Sequence, residues 1–330
     1  MPTPVRWGIL GAAKFAREHM GPAIHAARGA ELAGLATSHP SKAAPFLDFA
    51  PGLEVYDGYD ALLADPRIDA VYIPLPNHLH VEWTLKAIAA GKHVLCEKPM
   101  AMAAGDYGRL IDARDTSGLL VTEAYMIVHH PQWQRARELV QGGAIGRLLH
   151  VDGFFSYDNS GSPDNIRNKA DTGGGSLPDI GVYTCGSCRF ATGEDPEEVD
   201  CEIVWENGVD VTAHVRAKFP GFRFQASTSM RMHPRQEMTF HGTEGILRLT
   251  APFNARLFGE ARIEIHRNAH NGVVPGAVTV ERFTKDNHYE FQVENFGRAI
   301  REGAAYPWAL EDARGTQRML DMAFQAAGRP

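Results

Sequence analysis

The sequence predicts an α/β fold with an N-terminal parallel sheet, followed by an α+β domain with an open, predominantly antiparallel sheet. Three observations predict it. Strand-like apolar runs alternate with helical stretches over the first 122 residues, the pattern of a parallel sheet covered on both faces. From Val199 to about Val280, apolar and polar residues alternate between close turn signals, the pattern of antiparallel hairpins. The length, 330 residues, suits about two domains at roughly 100–200 residues each. The division is expected to separate residues 1–122 from residues 123–330.

In the first part, Val5-Arg6-Trp7-Gly8-Ile9-Leu10 reads as a buried strand, followed by a helix to about Ala27. Residues 31–36 are a second strand and residues 53–56 a short third. Ala70-Val71-Tyr72-Ile73 is a fourth, ended by Pro74 and Pro76. Residues 79–90 have helical periodicity and stop at Gly91, a suitable C-terminal cap. His93-Val94-Leu95-Cys96 is a fifth strand, residues 106–116 a helix ended by Gly118, and residues 119–122 a sixth strand. In the second part, residues 131–141 read as a helix and 148–157 as a strand. Residues 158–175 are polar, irregular and long, which in a compact domain suggests a binding loop. Residues 177–191 read as a helix, and two more, 289–301 and 310–327, close the chain. Asn207-Gly208, Pro220-Gly221 and Gly242-Thr243-Glu244-Gly245 punctuate the sheet between them.

Composition bounds the function. Apolar residues make up 44% and charged residues 22%, so ample core can be buried and global disorder is excluded. Lys plus Arg is 33 and Asp plus Glu is 40, and the net charge of -7 argues against a nucleic-acid partner, which needs a basic face. No apolar run reaches the ~18 residues of a membrane span. Met1-Pro2-Thr3-Pro4-Val5-Arg6 opens into a strand rather than a signal peptide. Four cysteines are too sparse for a disulfide scaffold, so a cytoplasmic protein with reduced thiols is expected. Cys185-Gly186-Ser187-Cys188 has the spacing of a redox or metal pair, but no second pair accompanies it. These are read as incidental thiols on a helix, and no metal site is expected. Glycine is in excess, at 33 residues of 330 against an average of about 7%.

Some of those glycines have an address. Gly8-Ile9-Leu10-Gly11-Ala12-Ala13-Lys14-Phe15-Ala16 joins the first strand to the first helix. A dinucleotide site uses a small-residue turn here, because the backbone must approach the pyrophosphate and the helix N-terminus offers free N–H groups. Against G-x-G-x-x-G the match is degraded: Gly11 holds the first position, and Ala13 and Ala16 replace the other two. Gly8, Gly11, Ala12, Ala13, Lys14 and Phe15 are the candidate cofactor residues, with an ordinary tight turn as the alternative. The ribose should meet the end of the second strand, where an NAD site carries Asp or Glu. This chain has Thr37-Ser38-His39-Pro40-Ser41-Lys42 and no acid. Ser38 and Ser41 could donate to a 2′-phosphate, and His39 and Lys42 could balance its charge, which favours NADP over NAD. Capping of the following helix is the other role open to these residues.

Glu97-Lys98-Pro99 follows the fifth strand, where a lysine at the carboxyl end of a parallel sheet can hold a substrate oxygen and lower the pKa of a neighbouring acid. Far downstream runs Gly173-Gly174-Gly175-Ser176-Leu177-Pro178-Asp179-Ile180-Gly181-Val182-Tyr183. On a helix Asp179 and Tyr183 share a face.

In this order and at this spacing, the turn, Glu97-Lys98-Pro99 and the glycine run resemble the Gfo/Idh/MocA family of sugar and cyclitol oxidoreductases over nearly the whole chain. Within it the chain is most similar to the glucose–fructose oxidoreductase, dihydrodiol dehydrogenase and NADP-dependent aldose dehydrogenase group. The resemblance implies a Rossmann domain, a second domain on an antiparallel sheet, an active site between them, and a homodimer or homotetramer. It implies that Lys98 is catalytic, that a cis peptide precedes Pro99, and that Tyr183 transfers the proton, since that position holds tyrosine in this group. Asp179 would orient the substrate or the proton relay, and Arg167 would contact the substrate. Pro74, Asn77, His80 and Glu97 would lie around the nicotinamide, with helix capping the alternative for the Asn77–His80 stretch. The implied activity is hydride transfer between NADP, or NAD, and a hydroxyl-bearing carbon of a sugar or polyol-like substrate. An aldose such as xylose or glucose, oxidised to its lactone, fits, as does a keto-sugar or a dihydrodiol. Two rivals keep the fold: a cofactor-sensing regulator that has lost the chemistry, and a glycoside hydrolase using bound NAD.

Overall fold

The computed structural model describes residues 3–268, 275–284 and 286–328. The chain divides into two compact units: residues 1–129 with 288–313, and residues 130–287 with 314–330.

The first unit is built on six parallel strands: β1 (Val5–Leu10), β2 (Ala30–Ala36), β3 (Glu54–Tyr56), β4 (Ala70–Ile73), β5 (His93–Cys96) and β6 (Val121–Glu123). Their order is β3-β2-β1-β4-β5-β6, the doubly wound arrangement that reverses direction between β1 and β4. All four residues of β4 are buried, as a strand covered on both faces requires. The covering helices are Ala16–Met20 continuing into Gly21–Ala26, Tyr59–Leu63, His80–Ala89 and Tyr107–Ser117. Gly118 ends the last of these at φ +67, and its N–H closes on the Arg114 carbonyl. The helix His288–Glu302 also belongs to this unit. It packs Phe296 on Trp7, ring centroids 4.8 Å apart, and its Glu294 pairs with Arg28 at 2.9 Å. The single cut expected near residue 122 is therefore not how the chain is partitioned: residues 288–313 return to the first unit.

The second unit carries an eight-stranded sheet. Its strands are β7 (Leu148–Asp158), β8 (Glu198–Glu206), β9 (Val209–Phe219), β10 (Phe222–Ser229), β11 (Arg231–Gly242), β12 (Gly245–Thr250), β13 (Ala261–Asn268) and β14 (Pro275–Phe283). The order is β14-β13-β12-β11-β7-β10-β9-β8. The hairpins are antiparallel, as expected, but β7 inserts at the centre and pairs β10 in parallel. A strand paired with residues 73 positions downstream leaves no mark on local alternation, which is why the sequence shows only hairpins. The β8–β9 turn uses Asn207 at φ +50 and Gly208 at φ +78, the left-handed pair that a two-residue hairpin demands. One face of the sheet carries the helices Pro131–Gln141 and Val182–Thr192, and Phe324 of the helix Leu310–Ala327 lies against Trp205 of β8, ring centroids 6.2 Å apart. The core beneath is aromatic: Trp133 stacks on Phe253, and Phe253 on Phe155.

Candidate active site

The first unit presents the carboxyl ends of its strands at one edge, and there the expected cofactor residues gather. Gly11 follows β1 at φ +107, a conformation that L side chains rarely adopt. Its N–H donates to the Ala36 carbonyl at the end of β2, 3.0 Å. A side chain on Gly11 would meet Leu75 and the Tyr59 hydroxyl, at 3.1 and 3.3 Å. Arg17 N–H reaches the Ala13 carbonyl at 3.0 Å, so Ala13 starts the helical bonding and the N–H groups of Ala13, Lys14 and Phe15 precede it. Those donors and the positive dipole end suit an anion. Lys14 is exposed; Phe15 instead packs its ring on Tyr289. Gly8 sits elsewhere. It lies inside β1, and a Cβ there would come within 2.6 Å of Leu62 Cδ2. Its missing side chain lets β1 pack on the helix Tyr59–Leu63.

Beyond β2, Ser38, His39, Ser41 and Lys42 are all exposed. The Thr37 hydroxyl accepts the His39 N–H at 3.2 Å and shapes the bend. No side chain caps the short helix Pro40–Lys42 that follows, so capping does not account for these residues. The turn and this polar, acid-free strand end together fit a dinucleotide with a phosphorylated ribose.

Lys98 lies between fixed neighbours. Glu97 accepts the Tyr72 hydroxyl on Oε1 at 2.5 Å. The Lys98–Pro99 peptide is cis, as the resemblance implied. Met100 N–H donates to Glu123 Oε1 at 2.9 Å. Glu123 ends β6, is fully buried, and also accepts from Trp308 Nε1 at 3.1 Å. Burial pushes its pKa up, while these donors and the Lys98 charge pull it down. Pro74 is buried directly after β4, and Asn77 opens the half-buried turn Asn77–Leu79. His80, which the resemblance puts around the nicotinamide, is turned inward. Its ring is fully buried, with Nδ1 2.8 Å from the Pro99 carbonyl and Nε2 2.7 Å from the Leu75 carbonyl.

The second unit, taken by itself, holds its own set of candidate residues. Asp179 and Tyr183 lie on one continuous helical segment, Leu177–Gly181 running into Val182–Thr192. Asp179 pairs with Arg167 at 2.9 Å and accepts the Tyr157 hydroxyl at 2.5 Å. The Asp179 charge holds Arg167 firmly protonated, and burial raises the Tyr157 hydroxyl above its usual range. Tyr183 packs its ring against Phe155 and Phe253, centroids 5.8 and 5.7 Å away. The arrangement can hold and move a proton: a carboxylate shared by two donors, with a tyrosine one helical turn further on.

The glycine run shapes this set. Gly175 N–H donates to the Arg167 carbonyl at 3.0 Å, and a side chain on Gly174 would strike that same carbonyl. Gly175, at φ +131, lies on the carboxylate of Asp210, which a Cβ there would overlap. Asp210 in turn caps the helix, accepting from Leu177 N–H at 2.6 Å and from Ser176 Oγ at 3.0 Å. Burial raises Asp210 to a pKa of about 7 against those hydrogen bonds. Tyr157, Asp210 and Glu123 brace these candidate segments, and sequence reasoning missed them. Each meets its partner across more than twenty residues of chain, and no local pattern marks such a meeting.

Cys185 and Cys188 are buried free thiols with pKa values pushed up by burial. That is the environment of inert cysteine. Among the described residues, no group of His, Cys, Asp or Glu could hold a metal ion.

Comparison with known proteins now decides the family. Residues 5–125 match the family described as Gfo/Idh/MocA oxidoreductases with an NAD-binding Rossmann fold, and residues 133–248 match that family's C-terminal domain. The chain belongs to the Gfo/Idh/MocA oxidoreductases. An uncharacterized oxidoreductase of Rhizobium meliloti is 38% identical over 98% of this chain and 97% of its own. The D-xylose 1-dehydrogenase (NADP(+)) 2 of Haloferax volcanii is 31% identical over 97% of both. Among solved structures, the 3-ketoreductase KijD10 of Actinomadura kijaniata, in complex with NADP and TDP-benzene, superposes with a TM-score of 0.89. It is 29% identical, with 98% of each chain covered. The six-stranded parallel sheet and the mixed, mostly antiparallel sheet are the fold that this Gfo/Idh/MocA membership requires.

Proposed function

We propose that this oxidoreductase transfers a hydride between NADP and a hydroxyl-bearing carbon of a sugar-like substrate. The observation that carries the reading is the intact acid–base set within the two matched family domains: Lys98 after β5, and Asp179 with Tyr183 on one helical segment. When bound, the nicotinamide supplies the hydride acceptor or donor. The chain's own residues do the rest. In the oxidation direction Tyr183 takes the hydroxyl proton, and Lys98 holds a substrate oxygen and stabilises the negative charge that develops on it. Arg167 and Tyr157 hold Asp179 aimed to orient the substrate. The N–H groups at Ala13, Lys14 and Phe15 receive the pyrophosphate. Ser38, His39, Ser41 and Lys42, exposed after β2, receive the 2′-phosphate and support NADP over NAD.

Relatives that act on xylose or on nucleotide-linked keto-sugars support an aldose or keto-sugar substrate, oxidised or reduced at one carbon. Neither the regulator nor the hydrolase gains support from such relatives. A homodimer or homotetramer belongs to the same reading, and light scattering that finds a monomer contradicts it.

The test is a turnover screen of aldoses, cyclitols and dihydrodiols with NAD and NADP side by side, and of keto-sugars with NADH and NADPH. Absorbance change at the nicotinamide band with NADP and a sugar is expected. Glycoside release without added cofactor, or cofactor binding with no turnover of any substrate, contradicts the proposal.

A further inference from the structure

We propose that His80 is the positioning residue for Lys98, holding the Pro99 carbonyl through Nδ1–H. The inference rests on the assignment of Lys98 to the reaction.

Three buried or half-buried side chains grip the residues around Lys98: Tyr72 holds Glu97, His80 meets the Pro99 carbonyl at 2.8 Å, and Glu123 holds Met100. His80 differs from the other two. Its second nitrogen lies 2.7 Å from the Leu75 carbonyl, in the loop after β4. Leu75 is the side chain that a Cβ on Gly11 would touch. One ring therefore spans the loops after β4 and β5, and the first of these packs on the cofactor turn. His80 also opens the helix His80–Ala89, so a rigid element fixes it.

Two carbonyls flank a ring that carries two donors only when charged. Burial holds the His80 pKa down, to about 4, with the Lys98 charge acting in the same direction. The neutral ring has one N–H to give. Given to Pro99, it fixes the main chain directly after Lys98; given to Leu75, it fixes a loop and leaves Lys98 to its other neighbours. Small displacements of a positioned group are costly, on the order of 100-fold in rate for about 1 Å.

Conservative variants separate the two bonds. The amide nitrogen of Asn falls near the place of Nδ1, and that of Gln near the place of Nε2. His80→Asn keeps the donor to Pro99, and His80→Gln keeps the donor to Leu75. Both are measured on the full chain beside Lys98→Met, with kcat, substrate KM and the dissociation constant for NADPH. The expected result is that His80→Asn retains most of kcat, while His80→Gln loses roughly 10- to 100-fold with NADPH affinity unchanged. Equal losses in the two variants, or a greater loss in His80→Asn, overturn the inference. Full activity in Lys98→Met overturns the assignment of Lys98 instead. If the variants do not fold, nitrogen-15 histidine spectra of the wild-type protein decide. A protonated Nδ1 on His80 supports the inference, and a neutral ring protonated at Nε2 overturns it.

Discussion

At the scale of single residues, charge and donor count decide what each side chain can do. The exposed polar group after β2 faces solvent, so a ligand phosphate there competes with water, and each contact contributes modestly. Lys42→Glu should raise KM for NADP about tenfold, near 1.4 kcal/mol, and leave KM for NAD almost unchanged. Steady-state kinetics with both cofactors check it. Asp179 pairs with Arg167 and accepts the Tyr157 hydroxyl, and losing the hydroxyl leaves the ion pair in place. Tyr157→Phe should therefore lower kcat by roughly tenfold without unfolding the protein, read from kcat and circular dichroism together. Lys98, Asp179, Tyr183 and Arg167 were legible as candidates because their residue types stand in an ordered motif set. Tyr157 was not: it looks like any aromatic in a strand until its hydroxyl meets Asp179. His80 was legible as notable but not in its role, since no sequence spacing tells that both ring nitrogens meet carbonyls.

At the scale of elements, strands β1, β4 and β5 and the helix Pro131–Gln141 fall where hydrophobic patterning puts them. Each is a run of buried residues or a periodic stripe bounded by Gly or Pro, so local sequence suffices. The end of the helix bearing Tyr183 is different. Its start depends on Asp210, reached only because β9 returns beneath the glycine run. Gly175→Ala forces a side chain onto that carboxylate at φ +131 and should cost about 1–3 kcal/mol, seen as a lowered midpoint in urea. It should lower kcat too, because the same turn sets Asp179 and the Arg167 carbonyl. The helix Val182–Thr192 buries Cys185 and Cys188, with thiol pKa values raised. Native protein at pH 8 should leave these two unlabelled by a disulfide reagent, and denatured protein should react at all four cysteines. Rapid native labelling of the pair would show that the helix opens.

At the scale of the whole chain, composition and alternation sufficed for two architectures but not for their bookkeeping along the sequence. Residues 288–313 complete the first unit, where Phe296 covers Trp7 and Trp308 donates to Glu123. A helix that returns from the far end carries the same amphipathic pattern wherever it docks. A fragment of residues 1–122 lacks these partners and should fail to give a cooperative thermal transition or to bind NADPH; a cooperative, NADPH-binding fragment would contradict this. The central claim is that a sugar-like carbon exchanges a hydride with NADP while Lys98 and Tyr183 manage the proton. The most direct test is kcat of Lys98→Met on a substrate that the wild-type protein turns over, with NADPH affinity measured in parallel. The account predicts a loss of orders of magnitude in kcat with NADPH affinity retained; turnover close to that of the wild type would contradict it.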